Sequence, residues 1–303
     1  MVRPFLYEKK TSYLITRNVT GRHYYLRPSK ELKNSILYCI ADAQAQFPVL
    51  IHALCAMTNH IHIVITDTHG HAPRFVQAMN QNIARYVNCM LDRSGAMWEG
   101  GVRPNYCVLP KSIDIMDKVI YTLCNPVKAG IVPQHHLWPG AISTVAQIGR
   151  GSITTKRPKK FFTSTKDPKL LTRELVLSPV PGVSGILEPI DYFRLLAEQV
   201  ATEEKRLAET YEAAKMPWMG CKQCMRLNPQ DAPKTKWKRF SRKPTVSSRS
   251  NDARKDRILR LKRFRELYGN ALKTFREGHR DVAFPEGTFF FRIYYAVPTQ
   301  PFT

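Results

Sequence analysis

Two histidines alternate in an apolar run that has the character of a buried strand. The run Met57–Ile65 reads MTNHIHIVI, with one residue between His60 and His62. Because successive side chains of a strand point to opposite faces of a sheet, both imidazoles are predicted to lie on one face. Two adjacent neutral imidazoles can hold a divalent metal ion. For such a pair taken alone, an ordinary hydrogen bond in the core is the commoner explanation.

A second segment, Tyr121–Gly130, supplies further polar groups. It reads YTLCNPVKAG, and its Tyr121 and Asn125 share one face of a helix because they are four residues apart. The side-chain carbonyl of an asparagine is a plausible third ligand for a hard cation. A tyrosine one turn earlier would place its hydroxyl near the same ion. Taken alone, an ordinary helix-end tyrosine followed by an Asn-Pro turn explains this segment more simply.

The elements that must position these residues follow from hydrophobic periodicity and turn signals. Residues 11–150 are predicted to have the element order β-α-β-β-α-β-α. We expect strands over 13–19, 48–54, 60–66 and 106–109, and helices over 30–46, 73–91 and from 112 to about 125. The order is typical of a ferredoxin-like antiparallel sheet with helices on one face. The predicted fold class is therefore α+β.

Taken together, these motifs resemble the HUH single-strand transposases, and most closely the REP-associated tyrosine transposase branch of the IS200-like group. The features that carry the resemblance are Asn59 before His60, the loop Met97–Gly100, Tyr121, and the motif Asn125–Gly130. They lie within residues 11–150, about half of the chain. The resemblance implies that residues 1–150 form an HUH catalytic domain.

The resemblance also implies a reaction. Tyr121 would attack a phosphodiester of single-stranded DNA at hairpin-bearing ends, leaving a 5′-phosphotyrosine and a free 3′-OH that can be rejoined. His60, His62 and Asn125 would hold Mg²⁺ or Mn²⁺, which would polarise the phosphate. The expected function is therefore that of a metal-dependent transposase and strand transferase.

Three questions stay open at this point. The chain could be a domesticated protein that binds DNA or RNA hairpins without cleavage, although all four candidate site residues are present. It could be an HUH replication or transfer initiator, although the residues around Tyr121 favour the transposase branch. It could act as a monomer or as a homodimer, since minimal relatives exchange catalytic helices whereas long-tailed ones are monomeric.

The charge balance favours a polyanionic partner, most simply nucleic acid. The 303 residues include 47 Lys or Arg against 24 Asp or Glu, a formal net charge of +23. No apolar run approaches the length of about 18 residues that a spanning helix needs, and no signal peptide is recognised at the beginning. We therefore expect no membrane partner, and a cytoplasmic, nucleoid-associated location.

The second half of the chain is predicted to be a linker-like segment over 151–187 and a basic, mainly helical extension over 188–303. Residues 231–280 alone contain 17 Lys or Arg against 5 Asp or Glu. We expect this extension to contact DNA phosphates, although a solvated basic face would have the same composition. A last strand is expected over 288–297. The nucleic-acid-binding candidates of the whole chain are Arg17, Lys128, Lys236, Lys238, Arg239, Arg242, Lys243, Arg257, Arg260 and Arg263.

Seven cysteines, mostly scattered singly, favour reduced thiols over a disulfide framework. Cys221 and Cys224 form a Cys-X-X-Cys pair, but a structural zinc site requires four ligands. Because no second pair lies nearby in the sequence, whether this pair binds zinc stays open. Among the aromatic residues of the basic extension, Trp237 and Phe240 could stack on bases, whereas Phe264 and Tyr268 have the spacing of a helix core.

Overall fold

The computed structural model describes residues 4–100, 103–159, 161, 167–183, 188–234 and 243–302. Its helices are α1 (Lys30–Gln46), α2 (Ala72–Met90), α3 (Ser112–Leu123), α4 (Asn125–Lys128), α5 (Pro168–Leu171), α6 (Pro189–Ala213), α7 (Cys221–Met225), α8 (Asn251–Arg276) and α9 (Phe290–Tyr294). Its strands are β1 (Thr11–Asn18), β2 (Leu50–Ala56), β3 (His60–Asp67), β4 (Asn105–Leu109), β5 (Ser152–Lys156), β6 (Thr172–Val176), β7 (Phe284–Pro285) and β8 (Thr299–Gln300).

The first four strands form one antiparallel sheet in the order β2-β3-β1-β4. This order, with α1 between β1 and β2 and α2 between β3 and β4, is that of a ferredoxin-like fold. The predicted α+β class and the predicted antiparallel sheet with helices are confirmed. β1 and β3 are the two central strands, so the residues of β3 lie in the middle of the sheet.

Both faces of the sheet are covered, which is why β3 is buried along almost its whole length. Ile61, Ile63 and Ile65 point away from the two histidines and belong to the main hydrophobic core. α1 and α2 pack against each other, while α3 crosses β1, β2 and β3 on the face of the histidines. The alternation of side chains along β3 therefore places its isoleucines in the apolar core and its two histidines on the opposite face, under α3.

Local signals explain where the helices begin and end. Ser29 caps α1, since its hydroxyl accepts a hydrogen bond from the amide of Leu32 at 3.1 Å. The carboxylate of Asp67 accepts bonds from four consecutive amides at the start of α2, those of residues 69–72. Such bonds satisfy amides that have no partner within the helix.

The helix of Tyr121 begins one residue earlier than a cap at Ser112 would give. Lys111 is the N-cap, and its amide donates to the Asp114 carboxylate at 3.1 Å. α3 ends at Leu123, before the Asn-Pro pair, and α4 is a single turn after it. Gly130, with φ of +68°, ends that turn in the left-handed conformation that glycine adopts readily.

The segment 151–187, expected to be linker-like, contains a β-hairpin in its described part. β5 and β6 pair in antiparallel fashion and pack on α1. The Gln44 side chain exchanges two hydrogen bonds with the backbone of Val176, and Arg173 pairs with Asp42 at 2.8 Å. The apolar alternation was too weak to reveal these strands, since each buries only one residue. The proposed domain boundaries stay a prediction.

The prediction of a strand over 288–297 is wrong. Phe290–Tyr294 form the short helix α9, and the extended pairing in this region joins β7 to β8 instead. The aromatic residues have a high β propensity, but here their packing against other elements determines the secondary structure. The Phe291 ring stacks on that of Phe284 at a centroid distance of 4.8 Å and contacts Phe275 of α8 at 5.2 Å.

Within the described ranges, no helix is both long enough and apolar enough to span a membrane.

Candidate active site

β3 presents the two histidines side by side. Their ring centroids are 4.8 Å apart, His62 is buried, and His60 is partly exposed. The Nδ1 atom of His62 lies 2.9 Å from the hydroxyl of Thr16, its partner on β1. The Nδ1 atom of His60 lies 2.8 Å from Oδ1 of Asn59, which can only accept a hydrogen bond. Both Nδ1 atoms are thus engaged, and the Nε2 atoms can serve as ligands.

α3 places Tyr121 beside this pair. The Tyr121 ring lies 5.5 Å from the His62 ring, at an angle of 75°. Asn125, at the start of α4, is buried beside them, and its side chain affects the pKa of both His60 and Tyr121. The structure therefore brings together, within one chain, the four residues that the sequence analysis selected.

Burial controls the protonation of these groups. It lowers the pKa of His60 to about 4, an effect to which the charge of Arg22 adds and which an Asn125 hydrogen bond opposes. The pKa of His62 is lowered well below its usual value by burial, by His60 and by Lys128. Both imidazoles are therefore neutral near pH 7, as ligands must be.

The phenol of Tyr121 is protonated at neutral pH. Burial raises its pKa above the ordinary value of 10, and a hydrogen bond with Asn125 partly opposes this shift. Two ammonium groups flank the ring, Lys128 at 4.9 Å and Lys118 at 5.7 Å from its centroid. These cations can stabilise negative charge that develops on the phenol oxygen or on a phosphate held beside it.

The donor set fits a divalent metal ion. Two imidazole nitrogens and one amide oxygen can converge there, leaving further positions for water or phosphate oxygens. Imidazole favours Mn²⁺ over Mg²⁺ on intrinsic preference, whereas the oxygen donor suits both. In the part of the chain that the structure describes, no group of three or more His, Cys, Asp or Glu side chains could hold a metal. The amide oxygen of Asn125 is the candidate third protein donor beside the two histidines.

The basic candidates differ in their surroundings. Arg17 lies on the sheet face opposite His62, over the Trp98 ring at 5.9 Å. Lys243 is exposed near Arg17 and Glu99. Partial desolvation of its amine and the charge of Arg17 lower its pKa, and the charge of Glu99 opposes this shift. Among the candidates that the structure describes, Lys128 is the one whose amine lies over the ring of Tyr121.

The candidates on α8 are partly engaged in ion pairs. Arg257 and Arg260 both bind the carboxylate of Glu8, Arg260 at 2.8 Å. Arg263 is exposed, and its guanidinium lies 3.9 Å from Glu266. Their role in nucleic-acid binding stays a prediction. Several further candidates lie outside the described residues, namely Lys236, Lys238, Arg239 and Arg242, together with the aromatic residues Trp237 and Phe240.

The Cys-X-X-Cys pair lies on α7. Cys221 donates a hydrogen bond from its thiol to the carbonyl of Leu137 at 3.1 Å, and Cys224 is buried. Burial and the nearby Cys221 raise the pKa of Cys224 to about 12, so the thiol stays protonated. All seven cysteines are free, as expected for reduced thiols. The described residues provide this pair with no third ligand of the His, Cys, Asp or Glu type.

Sequence reasoning missed three residues near the site: Thr16, Lys118 and Arg22. Strand register places Thr16 opposite His62, which requires knowing that β1 pairs with β3. Lys118 lies three residues before Tyr121, so helical spacing could have revealed it. Arg22 acts on His60 from a turn that follows β1, and no local pattern marks it.

No family model matches the sequence, and neither does any curated protein. Two solved structures are similar to parts of it. A REP-associated tyrosine transposase bound to a REP hairpin is 20% identical over 50% of this chain and 86% of its own, with a TM-score of 0.40. A candidate transposase of Deinococcus radiodurans R1 is 23% identical over 41% of this chain and 97% of its own, with a TM-score of 0.29.

Proposed function

We propose that this chain is a metal-dependent transposase that cleaves and rejoins single-stranded DNA through a 5′-phosphotyrosine on Tyr121. One observation carries the proposal: a tyrosine flanked by two lysines lies against a pair of neutral, oriented imidazoles. A nucleophile, cations for a phosphate, and a donor set for a divalent ion are the parts that phosphodiester transfer requires.

In the proposed cleavage, the phenol oxygen of Tyr121 forms a bond to phosphorus and the bond from phosphorus to the 3′ oxygen breaks. The phenol loses its proton, and the leaving 3′ oxygen gains one. The number of phosphoester bonds is unchanged, so attack by a 3′-OH on the phosphotyrosine can rejoin a strand without a nucleoside triphosphate. A bound Mg²⁺ or Mn²⁺ would supply positive charge to the non-bridging phosphate oxygens.

The residues around Tyr121 have distinct roles in this reaction. Lys118 and Lys128 stabilise the phenolate and the entering phosphate by charge. Asn125 lies beside Tyr121 and His60, and its amide would fix the nucleophile relative to the proposed metal ligands. Because burial raises the pKa of Tyr121, the reaction depends on these neighbours for activation of the phenol.

The proposed substrate is a single strand with hairpins, for which the positive charge of the chain provides long-range attraction. A net charge of +23 favours binding to any nucleic acid. Binding of this electrostatic kind weakens as the salt concentration rises. Recognition of a particular hairpin must come from more local contacts, because contacts with phosphates carry no sequence information.

The test is an adduct assay. Wild type and Tyr121→Phe are incubated with labelled single-stranded hairpin DNA from sequence flanking the gene, with Mn²⁺, Mg²⁺ or EDTA. We expect wild type to form a metal-dependent adduct that survives denaturing electrophoresis, and Tyr121→Phe to form none. Tyr294→Phe, which changes an exposed tyrosine on α9, is the matched control and should behave as wild type.

Two other outcomes would favour the alternatives. If both proteins shift the DNA in a native gel and neither cuts any hairpin tested, the chain is a hairpin-binding protein without cleavage. If the adduct forms equally well with strands that lack a hairpin but contain a fixed nick site, a replication or transfer initiator is the better description.

A further inference from the structure

The short helix α9 and the residue that follows it expose three aromatic rings. Phe290, Tyr294 and Tyr295 are 52%, 55% and 54% exposed. The centroid of the Phe290 ring lies 4.8 Å from that of Tyr294 and 6.0 Å from that of Tyr295, so the rings form one contiguous patch. Single exposed apolar residues are common on protein surfaces, whereas a contiguous patch marks an interaction surface.

Tyr295 is the outer end of a stack of nearly parallel rings that begins in the core. The ring of Phe284, which is fully buried, stacks on that of Phe291 at a centroid distance of 4.8 Å and an angle of 14°. Phe291 in turn stacks on Tyr295 at 5.2 Å and 24°. Phe275 of α8 packs at a steep angle against both outer rings. The core therefore fixes a flat ring at the surface, which lowers the entropy cost of binding through it.

Positive charge lies beside the patch. Arg292 is on α9 itself and is exposed. The guanidinium of Arg280, also exposed, lies 4.4 Å from the centroid of the Phe275 ring, which contacts the Tyr295 ring at 5.5 Å. Within the described ranges, neither arginine forms an ion pair. α8, on which α9 packs, adds nine Lys or Arg against three Asp or Glu.

This combination fits a partner that has both flat rings and negative charge. Single-stranded nucleic acid has both, and its unpaired bases stack on aromatic side chains whatever the sequence, because every base has a π face. Self-association through the patch would bring two basic α8 helices together, and their like charges oppose such contact. The charge complementarity therefore favours a nucleic acid strand over a second copy of the chain.

We propose that Phe290, Tyr294 and Tyr295 form a stacking platform for unpaired bases of single-stranded DNA. Arg280 and Arg292 would attract the phosphates that link those bases. The inference rests on the proposed function for the class of substrate, and it adds a second contact surface outside the site of Tyr121.

The stacking platform lies toward the end of the sheet opposite the two histidines. Phe289, just before α9, contacts Tyr7 at a centroid distance of 6.0 Å, and Tyr7 precedes β1. β1 then runs from Thr11 to Asn18, and Asn18 pairs with His60. Eight residues of a strand span about 25 Å. The stacking platform should therefore add affinity for the strand and leave the chemical step unchanged.

The test compares two strands of about 16 nucleotides, an oligothymidylate and a strand of abasic sites that keeps the phosphates and lacks the bases. Binding to the full chain with Tyr121→Phe, which excludes cleavage, is measured by fluorescence anisotropy. Phe290→Leu with Tyr295→Leu removes two flat rings and keeps apolar side chains against Phe291. This double variant should bind oligothymidylate about tenfold more weakly, as expected for lost base stacking. Its affinity for the abasic strand should stay unchanged, which also shows that the chain is folded.

Two control variants separate the rings from other effects. Tyr294→Phe keeps the ring and should bind both strands as the parent does. Leu259→Ala removes an apolar side chain that is 64% exposed on α8 but has no ring, and it should also bind both strands normally. In the background with Tyr121 intact, the double variant should form the adduct at the wild-type rate once the strand is saturating.

Three results would overturn the proposal. Equal affinity of the double variant and its parent for oligothymidylate would show that the rings do not stack on bases. An equal loss for both strands would show that the rings act through the fold or the phosphates. A parent that sediments as a dimer without DNA, beside a monomeric double variant, would make the patch an interface between copies. Absence of an adduct would count against the proposed function instead, because the binding comparison requires no cleavage.

Discussion

At the scale of single residues, the site depends on groups that orient the two imidazoles. Thr16 and Asn59 bind the Nδ1 atoms of His62 and His60. Each bond fixes the orientation of a ring, and the Asn59 bond also fixes the tautomer of His60. Since such outer contacts affect metal affinity strongly, they give a test of the donor set that does not require the substrate.

Thr16→Val should weaken Mn²⁺ binding by about 10- to 100-fold, the usual effect of losing such a contact. The substitution removes a hydroxyl and keeps the branched shape, so the strand should keep its packing. Isothermal titration of the metal-free protein with Mn²⁺ measures the affinity. Ser12→Ala is the control, because it removes a hydroxyl bond to Thr66 from the same face of β1. An unchanged affinity in Thr16→Val would contradict the proposed role of Thr16 in orienting His62 as a metal ligand.

The sequence predicted correctly which candidate ligands share a face of a strand or helix. It did not predict the residues that hydrogen-bond to those ligands. Strand alternation put His60 and His62 together, and a spacing of four put Tyr121 and Asn125 on one side of a helix. The resemblance, not the spacing, connected these two pairs. Arg22 could not be predicted, because a left-handed conformation of a non-glycine residue arises from tertiary contacts.

At the scale of elements, α6 supports the turn that follows Asn125. The Tyr211 hydroxyl donates to the carbonyl of Lys128 at 3.0 Å, and its ring stacks on that of Trp218 at 4.8 Å. The ring lies so close to Gly130 that an added Cβ would be 2.5 Å from it. The Met219 amide donates to the carbonyl of Gly130 at 2.8 Å. The first helix of the extension thus holds α4 in place.

Tyr211→Ala should lower the rate of adduct formation by about tenfold, equivalent to about 1.4 kcal/mol, since the turn that carries Asn125 and Lys128 loses both contacts. Tyr211→Phe keeps the ring and should have a smaller effect. The adduct assay at saturating DNA measures the rate, and Mn²⁺ titration should show a parallel loss through Asn125. Thr210→Ala, on the exposed side of α6, is the control. Equal rates for Tyr211→Ala and Thr210→Ala would contradict the supporting role.

The elements differ in how well their sequences reveal them. α1 was predicted with its observed bounds, because Ser29 caps it and its apolar residues recur at helical spacing. The β5–β6 hairpin was not, because its strands are short, largely polar and stabilised by side chains of α1. α9 was predicted as a strand, since its aromatic residues indicate β structure until their packing on α8 is known.

At the scale of the molecule, the C-terminal half contacts the N-terminal half at several separate points. Glu8 binds Arg257 and Arg260 of α8, and the residue Val246 pairs with β4 through Val108. Part of the basic charge of the extension therefore stabilises the fold. Exposed Arg263, which lies 3.9 Å from Glu266, stays a proposed contact for DNA phosphates.

Further contacts of this kind determine whether α3 could be exchanged between two copies of the chain. Arg249 holds α3 through a bidentate ion pair with Asp117, at 2.5 and 2.7 Å, and its amide donates to Asp114 at 2.8 Å. α6 holds the following turn through Tyr211. Exchange of α3 between two copies would break both sets of contacts. We therefore expect Tyr121 to act with the histidines of its own chain, in a monomer and in a homodimer alike.

A mixture of Tyr121→Phe and His62→Ala should consequently form no adduct. One protein lacks the proposed nucleophile and the other lacks a proposed metal ligand, so activity can return only if α3 is exchanged between chains. The two variants, with tags of different size, are co-expressed to permit exchange and then tested in the adduct assay. Wild type diluted into Tyr121→Phe is the control and should give adduct in proportion to its amount. An adduct on the His62→Ala chain in the mixture would show exchange, and the contacts of Arg249 and Tyr211 would then have to form between copies.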